Sequence, residues 1–367
     1  MSQDECKPPD LNVTAASTGD AAAAAPRTAT SSSWPGTGGT LTTRTLLTYL
    51  FVLAGATLAV LLLCSLFGQV SIWTEGVWEL RLKRLANAAL VGAALSSAGM
   101  ALQGMLRNPL AEPYILGVSS GAGIGVMLSF VVAGMLHVGN FLSWLSMPVL
   151  AMAGALATSA AVYAIAQRRG RLDPYVLLLS GVIVNAFNGA IMLTLYLILP
   201  EKQIANFATW AMGYISETTG PGLFIFALLA VLTGWGGLLM RGASFNMLGL
   251  GDDVAASGGV HVHYLRAETF VLVSLMTAAA VALSGPIGFV GLIVPHICRS
   301  IVGPDHRRLA LVCGFAGAML VMIGDTICNT ITPWIGVGIL PVGILMALSG
   351  GPFFIYLLRK RRARVEA

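Results

Sequence analysis

Several groups of residues have the types and spacing of catalytic or ion-handling sites. Gly117-Val118-Ser119-Ser120-Gly121 fits G-x-S-x-G, the turn that presents a hydrolase's nucleophilic serine. That chemistry needs a strand–turn–helix setting and an acid and a histidine to activate the hydroxyl. Here the motif lies in apolar, glycine-rich sequence, where helix packing is the better reading. His261 and His263 stand two apart with no third ligand nearby, so they read as part of a solvated loop rather than a metal centre. His296, after Gly291-Leu-Ile-Val-Pro, reads as an uncharged polar group in a helix–helix contact. A proton relay would need chains of acids or histidines inside apolar spans. Asp325, with Asn329 one turn on, is the only acid well inside such a segment, and it reads as a group that caps or pairs locally. The chain's lysines are Lys7, Lys83, Lys202 and Lys360, and none stands in G-K-[ST]. Without the phosphate-binding loop the chain reads as no enzyme, and any ATP and Mg belong to a separate subunit.

Composition turns attention from catalysis to the membrane. Charged residues are 10% of the 367, hydrophobic ones 56%, and the mean hydropathy is +0.81. A water-soluble domain of this size would carry roughly 25% charge. Cys64, Cys298, Cys313 and Cys328 lie in or beside apolar segments without CxxC spacing, and read as buried free thiols. Residues 1–45 are rich in Ala, Ser, Thr, Gly and Pro and have almost no large apolar groups. They read as a disordered cytoplasmic tail, and 359–367 as a basic one. Met100, Met105 and Met127 read as core filler.

The elements that would hold these residues are ten apolar segments: Leu46–Phe67, Arg84–Leu106, Tyr114–Met135, Met147–Gln167, Tyr175–Leu199, Pro221–Met240, Leu265–Ser284, Phe289–Val302, Arg308–Ile331 and Leu340–Leu358. Most are long enough, at 1.5 Å per residue, to cross a ~30 Å hydrocarbon layer. Phe289–Val302 is too short and reads as a partial helix behind the Gly285-Pro286-Ile287-Gly288 break, sheltered by protein. The second and third segments form a hairpin around Arg107-Asn108-Pro109-Leu110-Ala111-Glu112-Pro113, where two prolines forbid a continuous helix. Ala88, Gly92 and Ser96 repeat every four residues, as do Gly117, Gly121 and Gly125. Such rows allow close backbone approach in lipid and place the hairpin inside a bundle. With the N-terminus inside, all of the 21 basic residues except Arg81, Lys83, Arg84 and Lys202 fall on the cytoplasmic side. This asymmetry sets both termini inside and accounts for a pI near 9.1 without a nucleic-acid partner. The fold class is therefore all-α: a polytopic membrane protein with about ten transmembrane helices.

Four stretches in order resemble one family. Arg81-x-x-Arg84 precedes RNPLAEPYILGVSSGAG (107–123). SFNMLGLGDDVAASGGVHVHY (244–264) follows. Then come SGPIGFVGLIVPHICR (284–299) with GPDHR (303–307), and finally LPVG (340–343) with GGPFF (350–354). Together they resemble the permeases of binding-protein-dependent ABC importers for ferric siderophores, haem and vitamin B12, the type II importers. The resemblance implies a permease domain over 46–358 that pairs with a second copy. It also implies two ATPase subunits inside, a substrate-binding protein outside, and a place in the bacterial inner membrane. Transport would run by alternating access at the homodimer interface.

The resemblance also assigns roles. Arg81 and Arg84 would meet acids of the binding protein. Asn108 and Leu110 would narrow the path on the cytoplasmic side, opposite Pro174 and Tyr175. In 244–264, Asn246, Leu248, Gly249, Leu250, Asp252, Asp253 and Ala256 would form coupling helices that dock on the ATPase. Three outer-face positions depart from the family pattern: Lys83 for a proline, Asn329 for a common arginine and Ile339 for a glutamate. The expected cargo is an iron chelate, haem ahead of ferric siderophore. Cobalamin is the alternative, and ion-coupled transport a more distant one. His137 is the only histidine placed outside.

Overall fold

The structure is a computed structural model that describes residues 43–68, 76–135, 140–168, 171–335 and 340–365. The expectations for residues 1–42, His137 and Ile339 lie outside the described residues. Every described residue belongs to one compact unit.

Each apolar segment became a helix. In chain order these are α1 (Thr43–Leu66), α2 (Val77–Leu106), a 3-10 turn (Pro113–Leu116), α3 (Val118–Met135) and α4 (Asn140–Ala166). A two-residue antiparallel pair, β1 (Gln167–Arg168) and β2 (Arg171–Leu172), turns the chain into α5 (Pro174–Tyr196). Then follow α6 (Glu201–Ala211), α7 (Pro221–Met240), α8 (Gly242–Gly249), α9 (Asp252–Ser257), α10 (Val262–Ser284), α11 (Val290–Val302), α12 (His306–Ile335) and α13 (Val342–Val365). Among the described residues seven helices are long and apolar enough to span a bilayer, and three shorter apolar ones lie in α3, α11 and α13. These match the ten expected segments.

Local chemistry explains the helix ends. Asp173 caps α5, its Oδ1 accepting from the amides of Tyr175 at 2.9 Å and Val176 at 3.2 Å, with Pro174 in the first turn. Gly285, at φ +68°, ends α10 in a conformation that L side chains resist.

The core is built from α2 and α10. In α2, 83% of the most apolar window is buried, against 6% in α1, so α2 is wrapped by protein and α1 faces outward. Small residues permit the approach. A Cβ on Gly92 would fall 2.1 Å from the Gly317 carbonyl of α12, and one on Gly99 2.0 Å from that of Gly291 in α11. Ser96 Oγ donates to the Cys313 carbonyl at 2.7 Å, satisfying in lipid what water cannot. The Gly117, Gly121 and Gly125 row packs on α4, against Thr158, Gly154 and Leu150. Cys64, Cys298, Cys313 and Cys328 are buried free thiols. Met100, Met105 and Met127 are fully buried or nearly so.

One helix was not expected. In α6 the apolar positions Ile204, Phe207 and Trp210 recur every three residues above exposed Glu201 and Lys202, and the helix is too short and polar to register as a span. The linker after it is threaded into the core: Tyr214 N donates to Ser284 O at 2.8 Å, and Gly343 N to Gly213 O at 3.1 Å.

Candidate functional site

The break after α2 is tied to the break after α10. Arg107 ends α2 in a left-handed conformation, φ 50°, and Asn108 Oδ1 accepts from Leu110 N at 3.0 Å to form the turn. Glu112 Oε1 accepts from Phe289 N at 2.5 Å, and Tyr114 OH from Ile287 N at 2.9 Å. The carboxylate and phenol of one interrupted helix thus satisfy amides left open in the other, which irregular backbone at membrane depth requires. Gln103 joins the same junction, donating to Gly291 O at 3.2 Å and accepting from Arg299 Nη2 at 3.2 Å. Glu112 and Tyr114 were not singled out in sequence. An acid and a phenol beside two prolines were the available signal.

Beneath this junction, α8 and α9 form a short helical pair. Their residues divide into two sets. Asn246 is engaged with the start of α12: its Nδ2 donates to Asp305 Oδ1 at 2.7 Å, and its Oδ1 accepts from His306 N at 2.8 Å. Leu248 is fully buried. Asp252 accepts from Arg266 Nη2 at 2.9 Å on each oxygen and meets Arg107 Nη2 at 3.1 Å. Asn246, Leu248 and Asp252 thus hold the helix pair to the rest of this chain. Gly249, Leu250, Asp253, Val254 and Ala256 are exposed, Leu250 by 69%.

Pro174 lines, with Asp252 and Arg266, an open groove of about 720 Å³ beside α9, and Tyr175 next to it is exposed. Arg107 also binds Asp252, so the Asn108–Leu110 turn and the start of α5 lie at the same end of the molecule as α9.

Roughly 35 Å away along α2, at 1.5 Å per residue, lies the opposite end. The expectation of an outward-facing Arg84 is corrected there. Arg84 Nε and Nη2 donate to Asp325 Oδ2 at 2.8 Å and Oδ1 at 3.0 Å, and its guanidinium lies over the Tyr214 ring at 5.2 Å. The Arg84 side chain is 10% exposed and that of Asp325 2%. The carboxylate that pulls it inward is 241 positions away in sequence. Asp325 is thus bound chiefly by a distant arginine, with Asn329 Nδ2 adding a 3.3 Å contact from one turn on. Arg81 turns to α1 instead, where its Nη1 donates to Ser65 O at 3.0 Å. The two arginines do not form one patch.

Other chemistry-bearing residues have structural surroundings. Ser120 Oγ donates to Asn185 Oδ1 at 2.6 Å and accepts from Asn188 Nδ2 at 2.9 Å, joining α3 to α5. His296 meets Phe353 edge-on at 5.8 Å, a helix–helix contact of α11 with α13. Among the described residues no group of three His, Cys, Asp or Glu could hold a metal.

Residues 41–360 match the FecCD transport family. The chain is 37% identical over 287 residues to the hemin transport system permease protein HmuU of Yersinia pestis, covering 78% of this chain and 84% of that one. It is 38% identical over 289 residues to the cobalamin import system permease protein BtuC of Halobacterium salinarum, covering 78% and 74%. A solved metal-chelate type ABC transporter in an inward-facing conformation superposes with a TM-score of 0.74 at 28% identity, over 86% of this chain and 99% of that one. With interrupted helices, the short α8–α9 pair and a family match over residues 41–360, this chain belongs to the FecCD family of ABC-importer permeases.

Proposed function

We propose that the chain pairs with a second copy in the bacterial inner membrane, both termini cytoplasmic, and imports an iron chelate along the dimer interface by alternating access. Haem is the favoured cargo, ahead of a ferric siderophore, with cobalamin the alternative. Two ATPase subunits, which hold ATP and Mg, dock on α8 and α9, and a periplasmic binding protein delivers cargo at the end that carries Arg81. Asn108 and Leu110, opposite Pro174 and Tyr175, narrow the inner end of the path. The ligand retained on purification by the cognate binding protein, tested with haem first, decides the cargo.

The observation that carries this reading is the division of α8 and α9 into an anchored set and an exposed one. Leu250, 69% exposed, and Val254, 45% exposed, flank a turn held from behind by Asp252, as a rigid contact would require. Leu250→Asp with Val254→Asp puts charge at the centre of that contact and is expected to lower co-purification of the ATPase about tenfold or more. Yield and melting temperature of the permease should be unchanged, since both side chains are exposed. Undiminished ATPase capture would move the contact elsewhere. Purified without its ATPase, the chain is expected to hydrolyse no ATP.

A further inference from the structure

We propose that Arg107 is a positioning residue, which through Asp252 carries movement of α9 to the Asn108–Leu110 turn. This rests on the reading of α8 and α9 as the ATPase contact.

Asp252 stands in the first turn of α9 between two arginines of unequal freedom. Arg266, on α10, is 4% exposed and grips both carboxylate oxygens at 2.9 Å. Arg107, whose side chain is 45% exposed, meets Oδ1 at 3.1 Å from the end of α2. The buried partner holds Asp252 to the core, and the exposed partner links the same carboxylate to the end of α2.

Backbone geometry makes Arg107 a useful partner for α9. At φ 50° it occupies a region disfavoured for residues with a Cβ, so its side-chain direction is tied to the turn that follows. Its neighbour Asn108 donates its amide to Gln103 O at 3.1 Å and accepts from Leu110 N at 3.0 Å. A pull on Arg107 therefore either parts the ion pair or rotates Asn108 and Leu110 as a unit. The other side of the proposed gate converges on the same carboxylate, because Pro174 and Asp252 line one open groove with Arg171, His263 and Arg266. That groove leaves space beside α9. The helix itself is six residues long, with Ala255 as its only buried residue, so it is lightly held apart from Asp252.

The test uses the whole permease–ATPase complex in nanodiscs, carrying Cys6→Ser and Leu110→Cys. A membrane-impermeant maleimide then reads access to position 110, since the remaining cysteines are buried. ATP with vanadate is expected to change the labelling rate of this parent by about fivefold, the scale of coupling through packed elements. Arg107→Ala should keep ATPase capture yet shrink that change to less than about twofold, and Arg107→Lys should restore most of it. A full response in Arg107→Ala, or no rescue by lysine, overturns the proposal while leaving the ATPase reading in place. Loss of ATPase capture in Arg107→Ala would assign the residue to the subunit contact, and also overturns it. A parent that ignores nucleotide overturns the coupling reading, and the proposal with it.

Discussion

Gly121→Leu is expected to leave almost no folded protein. A Cβ at this position would lie 2.3 Å from Thr158 Oγ1 and 2.4 Å from the Gly154 carbonyl, and a Cβ on the facing Gly154 would in turn overlap Gly121 O. The threonine can rotate away, but the carbonyl belongs to α4 and can move only with its helix. Overpacking of a core typically costs about 1–3 kcal/mol and more where backbone must shift. Here α3 and α4 would separate along the glycine row, where a Cβ on Gly125, one turn on, would likewise overlap the Leu150 carbonyl. In lipid, lost packing is not replaced by a hydrophobic drive to re-associate. Fluorescence-detected size exclusion of the variant should show the monodisperse peak reduced about tenfold or more. Gly134→Leu, in the same helix with nothing within 4 Å of the added Cβ, is the control and should behave as the parent. Equal peaks would show that α3 and α4 do not meet through this row.

Arg84→Ala is the second large effect, and it acts through the charge left behind. Asp325 would keep a side chain 2% exposed with no cation to balance it. Removing one member of a buried pair typically costs about 3–5 kcal/mol, because the remaining ion has lost water as well as its partner. The thermal midpoint in detergent should fall by about 5 °C or more, the shift such a loss brings in a chain of this size. Arg84→Ala with Asp325→Asn removes the stranded charge and should recover part of the drop, a non-additivity that a double-mutant cycle reads directly. Additive effects would mean that the two groups do not interact. The pair also decides how docking of a binding protein can be probed. Arg81→Glu with Arg84→Glu would set a third carboxylate beside Asp325 and Glu217, so lost docking would reflect lost structure. Arg81 alone, turned to α1, is the residue to vary.

The difference between Arg81 and Arg84 marks the boundary between what each level of description determines. Spacing along a helix put both arginines near one end of α2, and hydropathy put that end opposite Arg107. Neither could reveal that Asp325 binds one of them and leaves the other to Ser65, because a pairing across 241 positions leaves no local pattern. Asp252 repeats the lesson: the acidic turn between two short helical runs was legible, and its partners Arg107 and Arg266 were not. In α6 the failure had another cause. A search for long apolar runs passes over an 11-residue helix with one apolar face, although Pro200 and Glu201 signal its start.

Composition and local periodicity were enough for the class of molecule, the ten apolar helices, their breaks at Pro109, Pro113 and Gly285, and the small-residue rows through which they pack. Each of these follows from the composition or periodicity of a short stretch, since a lipid solvent demands continuous apolar helix and close packing. The tertiary structure alone decided which buried polar groups meet: Glu112 with the Phe289 amide, Arg84 with Asp325, Asn246 with Asp305 and His306. An isolated charge or open amide in a low-dielectric interior must find a partner, but which one depends on where distant helices bring their ends together.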